Sequence, residues 1–326
     1  MSDNVKVLVV GAGLMAKEYC KVLQALHREP IVIGRSEDGV AQFQRDTGIK
    51  AFAGGLEKNI TEIGELPDYA IVAIDILQLS KATKCLLNNG ITNILVEKPG
   101  GVTRQELEEV CDLAAQKMSN VFVAYNRRYY ASTQKALEMI KEDGGVSSFH
   151  FEFTEWAHVI ANTGHPKEVK EKTFFGNSTH VLDLAFFLGG FPKEISSYVA
   201  GSLEWHSSGC IYSGSGISDK GALFSYQANW AAPGRWAVEI LTNSNRLYFK
   251  PLETLQVQEL RSVAVKPVEI DDKLDRDFKP GLYKQVQAFL KNIDDGKRLT
   301  IAEQLDHWRY YEIISKYSGS DRRSSL

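Results

Sequence analysis

A chain of 326 residues is long enough for about two domains that each bury a core, and 44% hydrophobic with 24% charged residues excludes a disordered or fibrous protein. A formal charge of −3 and a pI near 6.2 argue against nucleic acid or an anionic membrane as partners, so any bound phosphate must be met by local geometry. Cys20, Cys85, Cys111 and Cys210 lie far apart, with no Cys-x-x-Cys pair and no histidine at ligand spacing, which implies reduced thiols and no metal site. A polar tetrapeptide leads straight into a strand, without a leader's charged and apolar regions, and no apolar run reaches membrane-spanning length. A cytoplasmic protein is expected.

Val5–Val10 reads as a β-branched strand, and Gly11-Ala-Gly13-Leu14-Met15-Ala16 follows it directly. Met15, Tyr19, Val22, Leu23 and Leu26 then recur at helical spacing, and Ile31–Ile33 supplies a second strand. A Gly-x-Gly-x-x-Ala placed between a strand and an amphipathic helix predicts a dinucleotide site. Gly11 permits the tight turn, Gly13 lets backbone approach a pyrophosphate, and Ala16 allows close helix–strand packing. Leu14 and Met15 open the helix, whose N–H groups and positive dipole end suit phosphate. After the second strand the chain reads Gly34-Arg35-Ser36. Arg35 can stack on adenine and pair with a 2′-phosphate to which Ser36 donates, which favours NADP. Glu37 and Asp38 keep NAD open as the alternative.

Lys50–Phe52, Ala70–Ile74, Ile94–Val96 and Val121–Ala124 are further strands, with helices near 79–89 and 103–117, the latter opening on a Thr103-x-x-Glu106 capping box. This alternation predicts a doubly wound parallel sheet, a Rossmann dinucleotide-binding domain over residues 1–125. Within it, Glu97-Lys98-Pro99-Gly100-Gly101 ends the fifth strand. Pro99 fixes its own φ and keeps Lys98 out of the helical region, so the lysine is presented at the carboxyl end of the sheet, where ligands bind. The Lys98–Pro99 bond is a candidate for cis. A surface turn with a solvated lysine is the alternative reading. Asn126-Arg127-Arg128 leaves the same edge.

The glycine motif, Glu97-Lys98-Pro99 and Tyr125-Asn-Arg-Arg-Tyr129 together resemble the glucose–fructose oxidoreductase / inositol dehydrogenase (Gfo/Idh/MocA) family over roughly the first 190 residues. The resemblance implies that Lys98 lies by nicotinamide and substrate. The chain departs from the family after the fourth strand, where many members carry a Pro and a His and this chain has Asp75-Ile-Leu-Gln-Leu79.

From Ser147 the rhythm changes, and an α+β domain over 126–326 with a large, mostly antiparallel open sheet is expected. Phe149, Phe151 and Phe153 alternate with polar residues. Later strand candidates are Ile195–Trp205, Gly221–Trp230, Trp236–Thr242, Arg246–Phe249, Leu255–Leu260 and Val263–Ile270, with a hairpin turn at Asn243-Ser-Asn245. Successive strands without helices between them predict antiparallel pairing. The aromatic face calls for a cover, either a second subunit in a homo-oligomer (dimer or tetramer) or a helix of the same chain. Asn177 or Ser178 is placed to cap a helix with His180 in its first turn and Asp183 on the same side. A carboxylate there would fix the imidazole tautomer; a purely structural histidine is the alternative. Glu155-Trp156-Ala-His158 and the Asn162–Lys172 loop either line a substrate pocket or are simply solvated, and Trp230 and Arg235 are similar candidates. Two core helices close the chain, one with Tyr283, Val286, Phe289, Leu290 and Ile293 on its face and one opened by a Thr300-x-x-Glu303 capping box, and Ser318–Leu326 reads as a polar, frayed tail.

In the same family the second domain carries Asp-x-x-x-His-x-x-Asp, with the histidine as general acid/base. His180 and Asp183 match its last two positions, while the first is Gly176, beside which Asn177 offers a neutral hydrogen-bonding group. The resemblance thus implies an NADP-dependent (NAD possible) oxidoreductase that transfers a hydride at a carbinol or keto carbon of a sugar, nucleotide-linked sugar or polyol. Expected catalytic residues are Lys98, His180 and Asp183. Expected cofactor contacts are Gly11, Gly13, Leu14, Met15, Arg35, Ser36, Glu97, Lys98 and Asn126. Expected substrate contacts are Lys98, Arg127, Trp156, Asn177 and His180. A glycosidase with tightly held NAD and a non-catalytic NADP or sugar sensor are the alternatives.

Overall fold

The structure, a computed structural model, describes residues 5–292 and 294–317. The tetrapeptide before Val5, Ile293 and the expected polar tail lie outside the described residues. Strand and helix alternate first: β1 (Lys6–Val10), α1 (Leu14–Ala25), β2 (Glu29–Ile33), α2 (Glu37–Thr47), β3 (Ala51–Phe52), α3 (Leu56–Asn59). The rhythm continues through β4 (Tyr69–Val72), α4 (Leu79–Asn88), β5 (Asn93–Val96), α5 (Arg104–Gln116) and β6 (Asn120–Val123). Next come α6 (Ala131–Glu142), β7 (Ser148–Glu152), the short helices α7 (Ala157–Ala161) and α8 (Lys167–Lys170), a π-helical turn at Phe174–Ser178 and α9 (Thr179–Gly189). Seven strands follow: β8 (Pro192–Ala200), β9 (Ile211–Ser218), β10 (Leu223–Asn229), β11 (Ala237–Leu241), β12 (Asn245–Phe249), β13 (Gln256–Glu259) and β14 (Val265–Pro267). The chain closes with α10 (Lys273–Asp277), α11 (Leu282–Lys291), β15 (Leu299–Thr300) and α12 (Ile301–Ser315).

Two compact units form, one from the chain up to Asn126 with Lys273–Asp306, the other from Arg127–Asp272 with the chain from His307 onward. This differs from an unbroken second domain over 126–326. Residues 273–306 return to the first unit because α11 completes its core: Leu282, Val286 and Phe289 are buried there with Val7, Val9 and Ile71. Phe289 meets Tyr69 and Phe122 edge-on, at 5.5 and 6.3 Å between ring centres.

The first unit's sheet has the order β15-β6-β5-β4-β1-β2-β3. It is parallel apart from β15, which pairs antiparallel with β6 and is too short to announce itself in the sequence. Val7–Val10, Ala70–Val72 and Ile94–Val96 are buried on both faces, as continuous apolar runs in a covered parallel sheet must be. The strand order reverses between β1 and β4, which opens a crevice at their carboxyl ends. Both predicted capping residues act: Thr103 accepts from the Glu106 N–H, and Thr300 and Glu303 accept reciprocally from each other's backbone.

The second unit's sheet runs β14-β13-β12-β11-β7-β10-β9-β8. It is mostly antiparallel, but β7 and β10 pair in parallel because α9 and two strands intervene between them. The strand β9 has no counterpart in the sequence reading, since its Ile-Tyr-Ser-Gly-Ser-Gly-Ile-Ser composition is poor in strand formers. Its glycines are steric: a Cβ on Gly214 would stand 2.3 Å from the Tyr226 ring, and one on Gly216 2.1 Å from the Glu194 carbonyl oxygen. The aromatic face is covered within the chain, by α9. Phe186 packs edge-on against Phe149, Phe151 and Phe224 at 6.3, 5.3 and 5.5 Å, and Gly189 lets the helix end lie against Phe149.

Candidate active site

The first unit places a glycine turn at the crevice. Gly11 has φ +125°, a region side chains avoid, and a Cβ there would stand 2.2 Å from the Ala73 carbonyl oxygen that follows β4. Its N–H donates to Ile33 O, so the turn is tied to β2. Gly13 is the N-cap of α1, with no side chain closing the helix end, and the space around its missing Cβ is open for 4 Å. That is a cradle for a phosphate group held by helix N–H groups, so the residues present fit the dinucleotide. Leu14 beside it is 80% exposed, an apolar residue at the mouth of a turn that otherwise offers only backbone.

Arg35 and Ser36 are exposed just beyond β2. Ser36 N-caps α2, its hydroxyl accepting from the Gly39 N–H at 3.2 Å, and Glu37 and Asp38 share that first turn. After β4, Asp75 accepts from the Leu77 N–H and so caps the turn in which the chain departs from the family pattern.

Glu97 accepts from the hydroxyl of buried Tyr19 at 2.7 Å, so the carboxylate anchors the end of β5 to α1. Burial first, and then Glu97, holds the Tyr19 phenol well above its usual range. The Lys98–Pro99 bond is cis. Gln304 donates to Pro99 O at 3.0 Å, and Gly100, with φ +85°, turns the chain beneath Ile301 and Val123. Lys98, half-buried, therefore leaves from a turn held on both sides. The Asn126 side-chain amide donates to Pro280 O at 2.9 Å, a link to the returning segment that the sequence did not announce.

In the second unit His180 is 6% exposed in the first turn of α9, its ring 6.1 Å from that of Trp236. Asp183, fully buried, receives a bidentate pair from Arg128, at 2.9 Å from Nε and 2.6 Å from Nη2. The sequence reading set this carboxylate beside His180 and gave it no arginine. Asn177 and Ser178 do not cap α9. The helix continues backward into the π-helical turn, so its first N–H groups are met by backbone, and both side chains donate instead to Glu155 at 2.8 Å.

Glu155, which the sequence reading offered as either pocket-lining or solvated, is buried and hydrogen-bonded. It is 1% exposed, with Arg235 at 3.8 Å, and burial pushes its carboxyl up to about 7 against the opposing effects of Ser178, Arg235 and Asn177. Its signal was available: 155 continues the 149, 151, 153 alternation that faces the core. Arg235 stacks over Trp156 at 4.7 Å and Trp236 at 4.4 Å, and Arg127 also lies over the Trp236 ring, at 4.7 Å. Trp156 is 49% exposed and donates to Gly234 O at 3.0 Å. Trp230, by contrast, is core: it is 2% exposed and donates to Phe153 O. Among the described residues no cluster of three or more His, Cys, Asp or Glu is arranged to hold a metal ion, and no helix is long and apolar enough to cross a membrane.

Residues 5–125 match the model of the oxidoreductase family with NAD-binding Rossmann fold. The match spans the first domain alone and makes it an NAD-binding Rossmann domain of the oxidoreductase type, Gfo/Idh/MocA. No curated protein sequence matches it. Solved structures with the same fold over both domains include a putative NADPH-dependent oxidoreductase from Desulfitobacterium hafniense, 16% identical with a TM-score of 0.79 over 96% of this chain and 95% of that one. Levoglucosan dehydrogenase in complex with NADH and L-sorbose is 18% identical, with a TM-score of 0.75 over 96% of each chain. UDP-N-acetylglucosamine 3-dehydrogenase from Acidithiobacillus ferrooxidans is 12% identical, with a TM-score of 0.75 over 96% and 97%.

Proposed function

We propose that the protein is an NADP-dependent dehydrogenase or reductase acting at a carbinol or keto carbon of a sugar, a nucleotide-linked sugar or a polyol. The observation that carries the reading is the glycine turn at the crevice between β1 and β4, where Gly13 leaves an open approach to the start of α1. The sugar follows from two supports. The solved proteins of the same fold include a levoglucosan dehydrogenase and a nucleotide-sugar dehydrogenase. In this chain, exposed Trp156 with Arg235, and the polar groups of Asn177 and His180, offer the aromatic faces and hydrogen-bonding groups that hydroxyl-rich rings bind. Arg35 and Ser36 favour the 2′-phosphate of NADP over the ribose hydroxyl of NAD.

When bound, the nicotinamide supplies the hydride chemistry. Gly11, Gly13, Leu14 and Met15 hold the pyrophosphate end, with Glu97 and Asn126 shaping the wall. Lys98 presents its ammonium to the substrate oxygen and stabilises developing alkoxide charge. His180 takes the hydroxyl proton on oxidation and returns it on reduction. Asp183 acts through Arg128, keeping α9 and so His180 in place. Arg127 and Asn177 bind substrate hydroxyls.

Absorbance at 340 nm with a panel of sugars, nucleotide-linked sugars and polyols tests the reading. Turnover with a KM for NADPH at least about tenfold below that for NADH is expected, the ratio one good charge-assisted contact supplies. A clear preference for NADH removes the role of Arg35; cofactor that stays bound while substrate is cleaved without net absorbance change removes the redox reading. The chain is further taken to assemble as a dimer or tetramer through the uncovered face of its second sheet, where Tyr198, Ile211 and Leu223 are exposed. Sedimentation equilibrium should then give a multiple of 36.4 kDa, and a monomer at micromolar concentration rejects the assembly.

A further inference from the structure

Phe174–Ser178 reads Phe-Phe-Gly-Asn-Ser, so the turn that leads into His180 carries no carboxylate of its own. One is brought to it from the loop after β7. Glu155 accepts from the Asn177 amide through Oε2 and from the Ser178 hydroxyl through Oε1, each at 2.8 Å, and is 1% exposed. Two adjacent residues of a π-helical turn are thus fastened by one buried side chain across a sequence separation of more than twenty. A π-helical turn is a poor backbone arrangement that persists where something outside the helix holds it.

We propose that Glu155 is the positioning residue of the site: in its ionised form it clamps Asn177 and Ser178, and through them the turn that sets the place of His180. The inference rests on the proposed function for its link to catalysis and on the observed hydrogen bonds for the clamp itself. Hydrogen bonds to a charged acceptor are roughly twice as strong as neutral ones, so protonation of Glu155 loosens both at once. The charged and titratable groups that bear on it are Arg235 at 3.8 Å, Arg127 of the turn after Asn126 and Tyr212 of β9. Burial pushes Glu155 up to about 7, so the carboxylate passes from charged to neutral as the pH falls through neutrality. Activity that depends on the ionised clamp is therefore lost on the acid side.

Hydrogen–deuterium exchange of the peptide spanning residues 173–181, at one pH near 8, reads the clamp without any substrate. Glu155→Gln is expected to speed exchange there by about 10- to 100-fold, the loss of hydrogen bonds to a charged group. Unchanged protection overturns the clamp. If Glu155→Gln does not fold, Asn177→Ala and Ser178→Ala each remove one donor and must loosen the same peptide; if neither does, the clamp is overturned. With a substrate from the panel, wild-type kcat should fall below about pH 7. Glu155→Gln should lower kcat about tenfold or more with a much smaller change in KM, and abolish that inflection. Arg235→Gln removes a cation that favours the charged carboxylate, so the inflection should move to higher pH. Wild-type kcat and profile in Glu155→Gln overturn the positioning role. Absence of turnover with every substrate instead rejects the proposed function and leaves the exchange measurement to decide the clamp.

Discussion

Replacing His180 or Lys98 by alanine is expected to lower kcat by about 10²–10⁴-fold while NADPH affinity stays close to wild type. In the proposed reaction each of these residues serves the substrate, and the cofactor is assigned mainly to the turn of Gly11 and Gly13 and to Arg35. His180 is 6% exposed at the start of a helix that is buried along nearly its whole length. Lys98 leaves a turn fastened by the Glu97–Tyr19 and Pro99–Gln304 hydrogen bonds, and its loss leaves that turn in place. Loss of kcat with retained cofactor affinity is what removal of transition-state stabilisation looks like. Initial rates at 340 nm together with NADPH fluorescence titration measure both quantities. Turnover within about threefold of wild type in either variant takes that residue out of the mechanism.

Arg128→Met is expected to destabilise the second unit by about 3–5 kcal/mol. Asp183 is fully buried and both its oxygens receive guanidinium N–H groups, so removing the arginine takes the opposite charge out of a buried pair. Phe187 lies under the same guanidinium at 4.8 Å, and methionine keeps that apolar contact, which isolates the charge. A melting temperature roughly 6–20 °C lower follows for a unit of this size. Arg128→Met combined with Asp183→Leu should recover most of the loss, because two apolar groups need no partner. Differential scanning fluorimetry of the three proteins decides it; a single variant that melts with wild type would show that the pair holds nothing in place. Because Asp183 is one turn beyond His180, the single variant should also lose kcat at temperatures where it is still folded.

The first unit was legible because its information is local. The apolar runs of β1, β4, β5 and β6, the amphipathic spacing of α1 and the capping boxes at Thr103 and Thr300 each depend on residues within about a dozen positions, and all appear where their patterns lie. The Glu97-Lys98-Pro99 turn likewise forms as its residue types require. Where the reading fell short, a distant partner was responsible. Asn177 and Ser178 have the chemistry of helix caps, yet Glu155 draws both side chains away, and the π-helical turn satisfies the helix end with backbone instead. The aromatic face of β7 called for a cover, and nothing in its own alternation distinguishes a second subunit from α9. Gly214 and Gly216 weaken the strand pattern of β9, yet they are there so that the rings of Tyr226 and Phe224 can lie against it.

By itself the sequence determined that this chain builds a dinucleotide-binding sheet with a glycine turn at its crevice, and that a lysine is presented at the carboxyl end of β5. These follow from period, strand propensity and the φ restrictions of glycine and proline, all short-range. Only the tertiary structure decided which buried charges meet. Asp183 pairs with Arg128 from 55 positions away, Glu155 with Asn177 and Ser178 from 22 and 23, and α11 returns to the first unit's core. A buried charge must find an opposite charge or hydrogen-bond donors wherever the fold brings one within reach, and no local period encodes which residue that will be.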